Sequence, residues 1–482
     1  MLAVFIAVLI AYFLVGTVIA VFSRRYGVES IEDYYVAGYR LGGFLAAMTY
    51  AATTYSAFMM IGLVGFVYAT GVGAYGFELL YLLVTIFLLT IFSPKVWSMA
   101  RERKWVSPSE MIGDLYGSRT LALVIAVLYL VALVPYVTAQ AVGLGKLFEG
   151  LGLGYYTGVL FTAAIVFLWI VVAGIWSVAT TDTYQGIWML FSSTLLILWL
   201  TLSLIPSKGV DIGSLTASLS REGYLGLTSI WSKPEVFIAF TIPWIFFAVT
   251  NPQVVQRMYM PRDKKALERM IKYFGLFGLF YTVVVTLIGL YTRAMSLNNL
   301  FPSIDPGNRD LVTPKLLSIA PPVLSAVVSV SIVAAAVSTL DSIILTLAST
   351  ASRDIVGYSG RRVSSVTYIV LIVLVTMVTV TAWFKPGFVV ELSVLSSVLL
   401  LPLAPVTIAA WLKPETTRGR GTTAIASIIA GLAIGLYTAI AYGPKKAFMV
   451  TFLRIPASLW ILVVSTTILL LGILLSKELE RR

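Results

Sequence analysis

Thirteen predominantly apolar stretches follow one another along this chain of 482 residues. Each is about 20 residues or longer, the length a helix needs to cross the hydrocarbon core of a bilayer. They centre on residues 2–23, 41–69, 73–94, 120–146, 155–178, 183–205, 235–258, 266–292, 319–352, 363–384, 387–411, 421–443 and 453–475. In lipid, every backbone N–H and C=O must find its partner inside the protein, so such stretches fold as a bundle of spanning helices. With 59% hydrophobic and 12% charged residues, the composition excludes a soluble domain of this size. The expected class is an all-α polytopic membrane protein, a single transmembrane domain over 1–482 with about 13 helices.

The net charge of +12 could suggest a nucleic-acid partner, but its placement argues against one. With the N-terminus outside, the inner loops hold Arg24, Arg25, Arg40, Lys95, Arg101, Arg103, Lys104, Arg119, Arg257, Arg262, Lys264, Lys265, Arg269 and Lys272. Arg353, Arg361, Arg362, Lys413, Arg418, Arg420, Lys477, Arg481 and Arg482 complete the set. That is roughly 23 of the 34 basic residues on one side, the pattern of the positive-inside rule. The expectation is a multi-pass protein of the cytoplasmic membrane with its C-terminus inside and the lipid bilayer as its solvent. The first stretch lacks a basic n-region and a cleavage site before Arg24-Arg25, so it reads as a retained span. The longest polar loops, about 206–233 and 293–317, fall outside, and no soluble module is expected.

The chain has neither cysteine nor histidine. Disulfides, thiolate metal sites and cysteine nucleophiles are thereby excluded, and the commonest proton relay is missing. No carboxylate pair stands at catalytic spacing, so no enzyme and no cofactor is expected.

Two stretches make poor continuous helices. In the second, Ala51-Ala52-Thr53-Thr54-Tyr55-Ser56-Ala57 interrupts the apolar run, with Gly62 and Gly65 beyond it; in the seventh, Ala248-Val249-Thr250-Asn251-Pro252 does so. Pro252 has no N–H and clashes with the preceding turn, so the helix must bend or break. Broken helices persist in lipid only where they are buried or line a cavity. The two breaks open comparable five-helix blocks, 41–205 and 235–411, as in inverted-repeat transporters. The alternative is a proline kink with small residues at a packing interface.

In the ninth stretch, Ala335, Ser338, Thr339, Ser342 and Thr346 fall on one helical stripe, with Asp341 at its edge. The stripe offers hydroxyl oxygens and little bulk, which suits a hard cation that takes only oxygen ligands. The same residues also suit close helix approach with the hydroxyls bonded back to their own helix.

Ala334-Ala335-Ala336-Val337-Ser338-Thr339-Leu340-Asp341-Ser342, ending in Ser352-Arg353-Asp354, resembles the ninth helix of the sodium/solute symporter family. Asp33-Tyr34-Tyr35-Val36-Ala37-Gly38 with Leu41-Gly42-Gly43 resembles the lead-in to that family's first core helix, and Ala52 to Gly65 resembles its break. Gly145-Lys146-Leu147-Phe148-Glu149, Gly174-Ile175-Trp176-Ser177-Val178 with Thr181-Asp182 and Gln185-Gly186, and Asn251-Pro252-Gln253 with Gln256-Arg257 follow in order. The resemblance spans 33 to about 405. It implies a LeuT-type fold: an extra helix over 1–23, a five-plus-five inverted repeat over 41–205 and 235–411, and two further helices over 421–475.

It also implies residue roles. Sodium would take the carbonyls of Ala52, Tyr55 and Ala335 and the hydroxyls of Ser338 and Thr339. Asp182 would attract the ion near its cytoplasmic exit; a Thr-Asp helix cap is the alternative there. Ser56, Phe58, Met59, Glu78, Tyr136, Gln140, Trp244 and Asn251 are the implied substrate contacts. Glu78 matches the sugar carriers' carboxylate, and Trp244 an aromatic near the substrate of the proline carriers. This chain departs from the proline carriers at Thr54, where they have Asp, and from the sugar carriers at Met59, where they have an amide. Gln253 stands where the family often has His.

The function expected from these readings is secondary active transport: Na+-coupled uptake of a small organic solute, a monocarboxylate or an amino-acid-like zwitterion, by alternating access. Proton coupling through Asp182, Asp341 or Glu78 is the alternative, and a membrane-embedded sensor a more distant one. The partners are Na+, the solute and lipid; the sequence does not speak to oligomeric state.

Overall fold

The computed structural model describes residues 2–23, 25, 30–170, 175–228, 230–357 and 365–481. Arg24, Gly174, Arg361, Arg362 and Arg482 therefore lie outside the described residues. Helix occupies every one of the thirteen apolar stretches. Among the described residues, eight helices are long and apolar enough to cross a membrane by themselves, and ten are if each of two sharply bent pairs forms one span.

The second segment runs as helix over Gly43–Thr54, breaks in extended backbone at Tyr55, and resumes over Phe58–Leu63 and Val64–Thr70 with a bend of 49°. The seventh is broken twice. Pro234–Ile245 ends at Phe246, Phe247–Thr250 ends at Asn251, and Pro252–Arg257 follows. Asn251 has extended backbone (φ −86°, ψ 118°), the conformation a residue before proline prefers. A third bend, of 54°, separates Val389–Leu400 from Leu403–Leu412. The sequence reading treated 387–411 as one continuous span; Pro402 lies at the bend and supplies no N–H to the turn before it.

One boundary moves. The apolar pattern carries the fifth stretch to residue 178, but Ile175 already belongs to a helix that runs through Trp199 and on to Ser207. Asp182 consequently sits two turns inside a helix and caps nothing.

The ninth segment, Pro322–Thr350, is the central post of the bundle. Of its most apolar window, 83% is buried, against 17% for the first helix, Leu2–Ser23, which lies on the surface. The post packs against the first, second, fourth, sixth and tenth segments. Its row of alanine, serine and threonine lets those neighbours approach closely. Large exposed side chains such as Leu14, Leu202, Phe87 and Ile440 form the outward surface.

The two broken segments are joined at one end. Leu41 N donates to Met260 O (2.9 Å) and Arg262 N to Leu41 O (2.8 Å), a short parallel bridge. Arg101 clasps the same place, donating to the carbonyls of Tyr39, Pro261 and Arg262, and the Trp97 indole donates to Pro261 O (2.7 Å).

Candidate functional site

The break in the second segment faces the hydroxyl stripe of the ninth. Ser338 Oγ lies 2.9 Å from Ala52 O and 3.1 Å from Ala335 O. Thr339 Oγ1 lies 3.3 Å from Ala52 O and 3.4 Å from Thr53 O. Each hydroxyl has one proton and so donates to one carbonyl at a time, leaving its lone pairs free to turn. All of these residues are buried. Four of the five residues assigned to sodium from the sequence thus meet in one oxygen cluster, and the Thr53 carbonyl, unassigned, joins them. The fifth, Tyr55, forms the break itself: its backbone is extended (φ −91°, ψ 94°), and its ring stacks on Phe274 and Phe277. Among the described residues, no hydrogen bond joins its carbonyl to the two hydroxyls. The donor set is oxygen only, the chemistry a hard cation takes.

One turn further along both helices lies a charged network. Thr53 Oγ1 and Ser342 Oγ are 2.7 Å apart. Arg257 donates to Ser342 Oγ at 2.7 Å and to Gln253 O at 3.1 Å. Thr49 donates to Asp182 Oδ2 at 2.5 Å. Asp182 Oδ1 and Asp341 Oδ1 are buried without a hydrogen-bond partner. Arg257 was placed among the basic residues of the inner loops; the structure buries it completely, so it belongs to the interior and not to the topology count. It is a buried neighbour of the candidate site that the apolar pattern does not single out. The signal available was its position about one and a half helical turns after the Asn251-Pro252 break, on the half-helix that the break re-aims.

The eight substrate candidates are all buried. Three form a polar patch at the break. Gln140 Oε1 accepts from Ala57 N (3.1 Å), and Gln140 Nε2 lies 3.2 Å from Ser56 Oγ. Ser56 Oγ in turn accepts from Phe58 N (3.1 Å). Tyr136 donates to Thr54 O (3.2 Å). Beside this patch stands an aromatic group around Glu78: the Trp244 indole donates to Glu78 Oε2 (3.1 Å), and Phe58 packs on Trp244 with ring centroids 5.2 Å apart. Met59 lies within the π-turn that follows the break. Asn251 stands at the other break, its Nδ2 3.3 Å from Thr250 Oγ1 and its Oδ1 unpartnered. No hydrogen bond among the described residues joins it to the other seven.

Polar contacts between segments tie the core at both ends. At the predicted outer end, Arg309 pairs with Glu391 through both carboxylate oxygens (2.5 Å each) and lies over the rings of Phe66 and Phe388. Asp310 Oδ2 accepts from Val389 N (2.9 Å). At the predicted inner end, Ser107 and Ser109 both donate to Asp354 Oδ2 (2.6 Å each), and Arg353 pairs with Glu110 (3.0 Å).

Two discontinuous helices that pack on one central helix, one of them opening beside a buried oxygen cluster, are the arrangement of helical secondary transporters of the inverted-repeat class. The family model of the sodium:solute symporter family matches residues 34–431. The chain belongs to the sodium:solute symporter family. It is 25% identical over 404 residues to the sodium/pantothenate symporter of Escherichia coli, covering 80% of this chain and 81% of that one. The sodium/pantothenate symporter of Haemophilus influenzae is 24% identical over 398 residues, with 80% of each chain covered. Among solved structures, a substrate-bound, outward-open Na+-coupled sialic acid symporter superposes with a TM-score of 0.78 over 97% of this chain and 98% of that one, at 16% identity. A nucleobase-cation-symport-1 family transporter gives 0.59 at 13% identity, over 92% and 95%. These structural likenesses establish the fold, which is LeuT-type as the resemblance implied.

Proposed function

We propose that this protein couples the entry of Na+ to the uptake of a small organic solute, a monocarboxylate or amino-acid-like molecule, by alternating access. One observation carries the reading: the hydroxyls of Ser338 and Thr339 converge on the carbonyl that the second segment frees at Ala52. In this reading Na+ is a co-transported substrate. It takes the lone pairs of Ser338 Oγ and Thr339 Oγ1 and the carbonyls of Ala52, Ala335 and Tyr55. The hydroxyl protons turn away as it binds. The ion then holds the second segment to the ninth, and the substrate patch at Ser56, Gln140 and Tyr136 is set by the same break. Solute and ion thereby favour the same conformation, and the linkage is reciprocal. The membrane potential contributes about 2.3 kcal/mol per charge per 100 mV. Asp182, beneath the cluster, receives the ion on its way inward past Arg257. The orientation in the reading has the N-terminus outside and the C-terminus in the cytoplasm, within the cell membrane.

The test is the thermal stability of the purified protein in NaCl against KCl and CsCl at equal ionic strength. A ligand that binds only the folded state raises stability by mass action. Stabilisation specific to Na+, and lost in the Ser338→Ala, Thr339→Ala double variant, is expected. An equal response to the three salts sinks the reading.

The unpartnered oxygens of Asp182 and Asp341 favour a second reading, proton coupling in the same fold. Solute flux into proteoliposomes driven by a pH gradient in the absence of Na+ would select it.

A further inference from the structure

Glu78 is a carboxylate bonded to the edge of an aromatic box centred on Trp244. It is 1% exposed and lies within Gly73–Arg103, a helix long and apolar enough to span the membrane. Its Oε2 accepts the Trp244 indole N–H. Around Trp244, ring centroids stand at 5.2 Å for Phe58, 5.4 Å for Phe247 and 5.5 Å for Tyr81. No ion pair among the described residues includes Glu78. Two hydroxyls on the same two helices, Tyr81 Oη and Thr241 Oγ1, are buried with no hydrogen-bond partner.

A buried carboxylate without a counter-charge costs several kcal/mol when ionised, so such a group holds its proton until a cation comes to it. Aromatic faces attract a cation that comes within about 6 Å of the ring centroid. An acid and several ring faces gathered in one place, with no basic side chain paired to the acid, are complementary to an organic cation. They are not complementary to an anion. We infer that the solute carries a cationic nitrogen, an ammonium or quaternary ammonium group, that docks on Glu78 within this box. The inference rests on the transport reading above and selects its amino-acid-like branch: a plain monocarboxylate would set its own charge against Glu78.

Matched probes isolate the charge. Glycine betaine and tert-butylacetate share a shape and a carboxylate and differ in the cationic nitrogen; proline and cyclopentanecarboxylate form a second such pair. Thermal stabilisation of the purified protein in NaCl is measured for all four. Betaine, proline or both should stabilise, with an apparent affinity at least tenfold above that of the charge-lacking partner, and Glu78→Gln should erase the difference. Trp244→Leu should weaken the cationic probe severalfold through loss of the ring face. Equal binding within both pairs, preference for the nitrogen-free partners, or no stabilisation by either cationic probe overturns the inference. Where Glu78→Gln does not fold, the contrast within each pair in the wild-type chain decides alone. The Na+ response without solute separates the failures. A chain indifferent to Na+ refutes the transport reading; a chain that responds to Na+ but does not discriminate within the pairs refutes only the cation box.

Discussion

Arg257 shows what a single residue can hide from a sequence. Read along the chain, it ends an apolar run and counts as a loop residue. In the fold its partners are Ser342, 85 positions away, and its own segment's Gln253 carbonyl. No local pattern announces such a contact. The hydroxyls of Ser338 and Thr339 were legible because helical periodicity puts them on one face whatever the rest of the fold does. Arg257 and Asp182 are opposite buried charges that attract each other through space with no direct ion pair among the described residues, and removing one leaves the other uncompensated, at about 3–5 kcal/mol. Arg257→Met should therefore cost several kcal/mol of stability, measured by denaturant unfolding in detergent, and adding Asp182→Asn should recover part of it. At the outer end, burial pushes the Asp310 carboxyl up to about 6, against the pull of neighbouring Arg309. A folded state that holds its proton more tightly than the unfolded chain gains stability as the pH falls through about 6 toward the free carboxyl range near 4. The stability of the wild-type protein should accordingly rise over that interval by a contribution absent from Asp310→Asn, a difference thermal scans across pH can read.

The elements of this fold are defined as much by where helices stop as by where they run. The breaks at Tyr55 and Asn251 were readable: hydroxyls and small residues interrupt one run, and a proline interrupts the other. The bend after Leu400 had its signal in Pro402, but a lone proline in an otherwise apolar run gives no depth or direction. The boundary before Ile175 was unreadable from apolarity, because the run continues across it. Packing between elements also sets limits. A Cβ on Gly65 would stand 2.2 Å from the Arg309 carbonyl oxygen, backbone that cannot rotate aside. Gly65→Ala should push the 306–311 segment off the second half of the broken helix and loosen the Arg309–Glu391 pair. The chain lacks cysteine, so a single Met59→Cys reports access unambiguously. Its labelling by a membrane-impermeant thiol reagent from outside should be several times faster with Gly65→Ala than without.

For the whole molecule, polar contacts at both ends describe one stage of a cycle. The outer pair Arg309–Glu391 and the inner contacts of Asp354 with Ser107 and Ser109 are made together here. Alternating access requires that one end be released while the other holds. Glu391→Gln should favour the outward-open form, raising outside labelling of Met59→Cys; Asp354→Asn should lower it. Unchanged labelling in both would mean that neither contact governs access.

The join at Leu41 and Met260 has a mechanical consequence. Two half-helices that sit far apart in sequence, one beside the oxygen cluster and the other bearing Arg257, are tied at their ends by backbone hydrogen bonds and by the Arg101 clasp. They are two arms of one crank. In the proposed cycle a displacement that starts on either arm would turn the other, so that ion and solute would act on a single shaft with no separate wire between them.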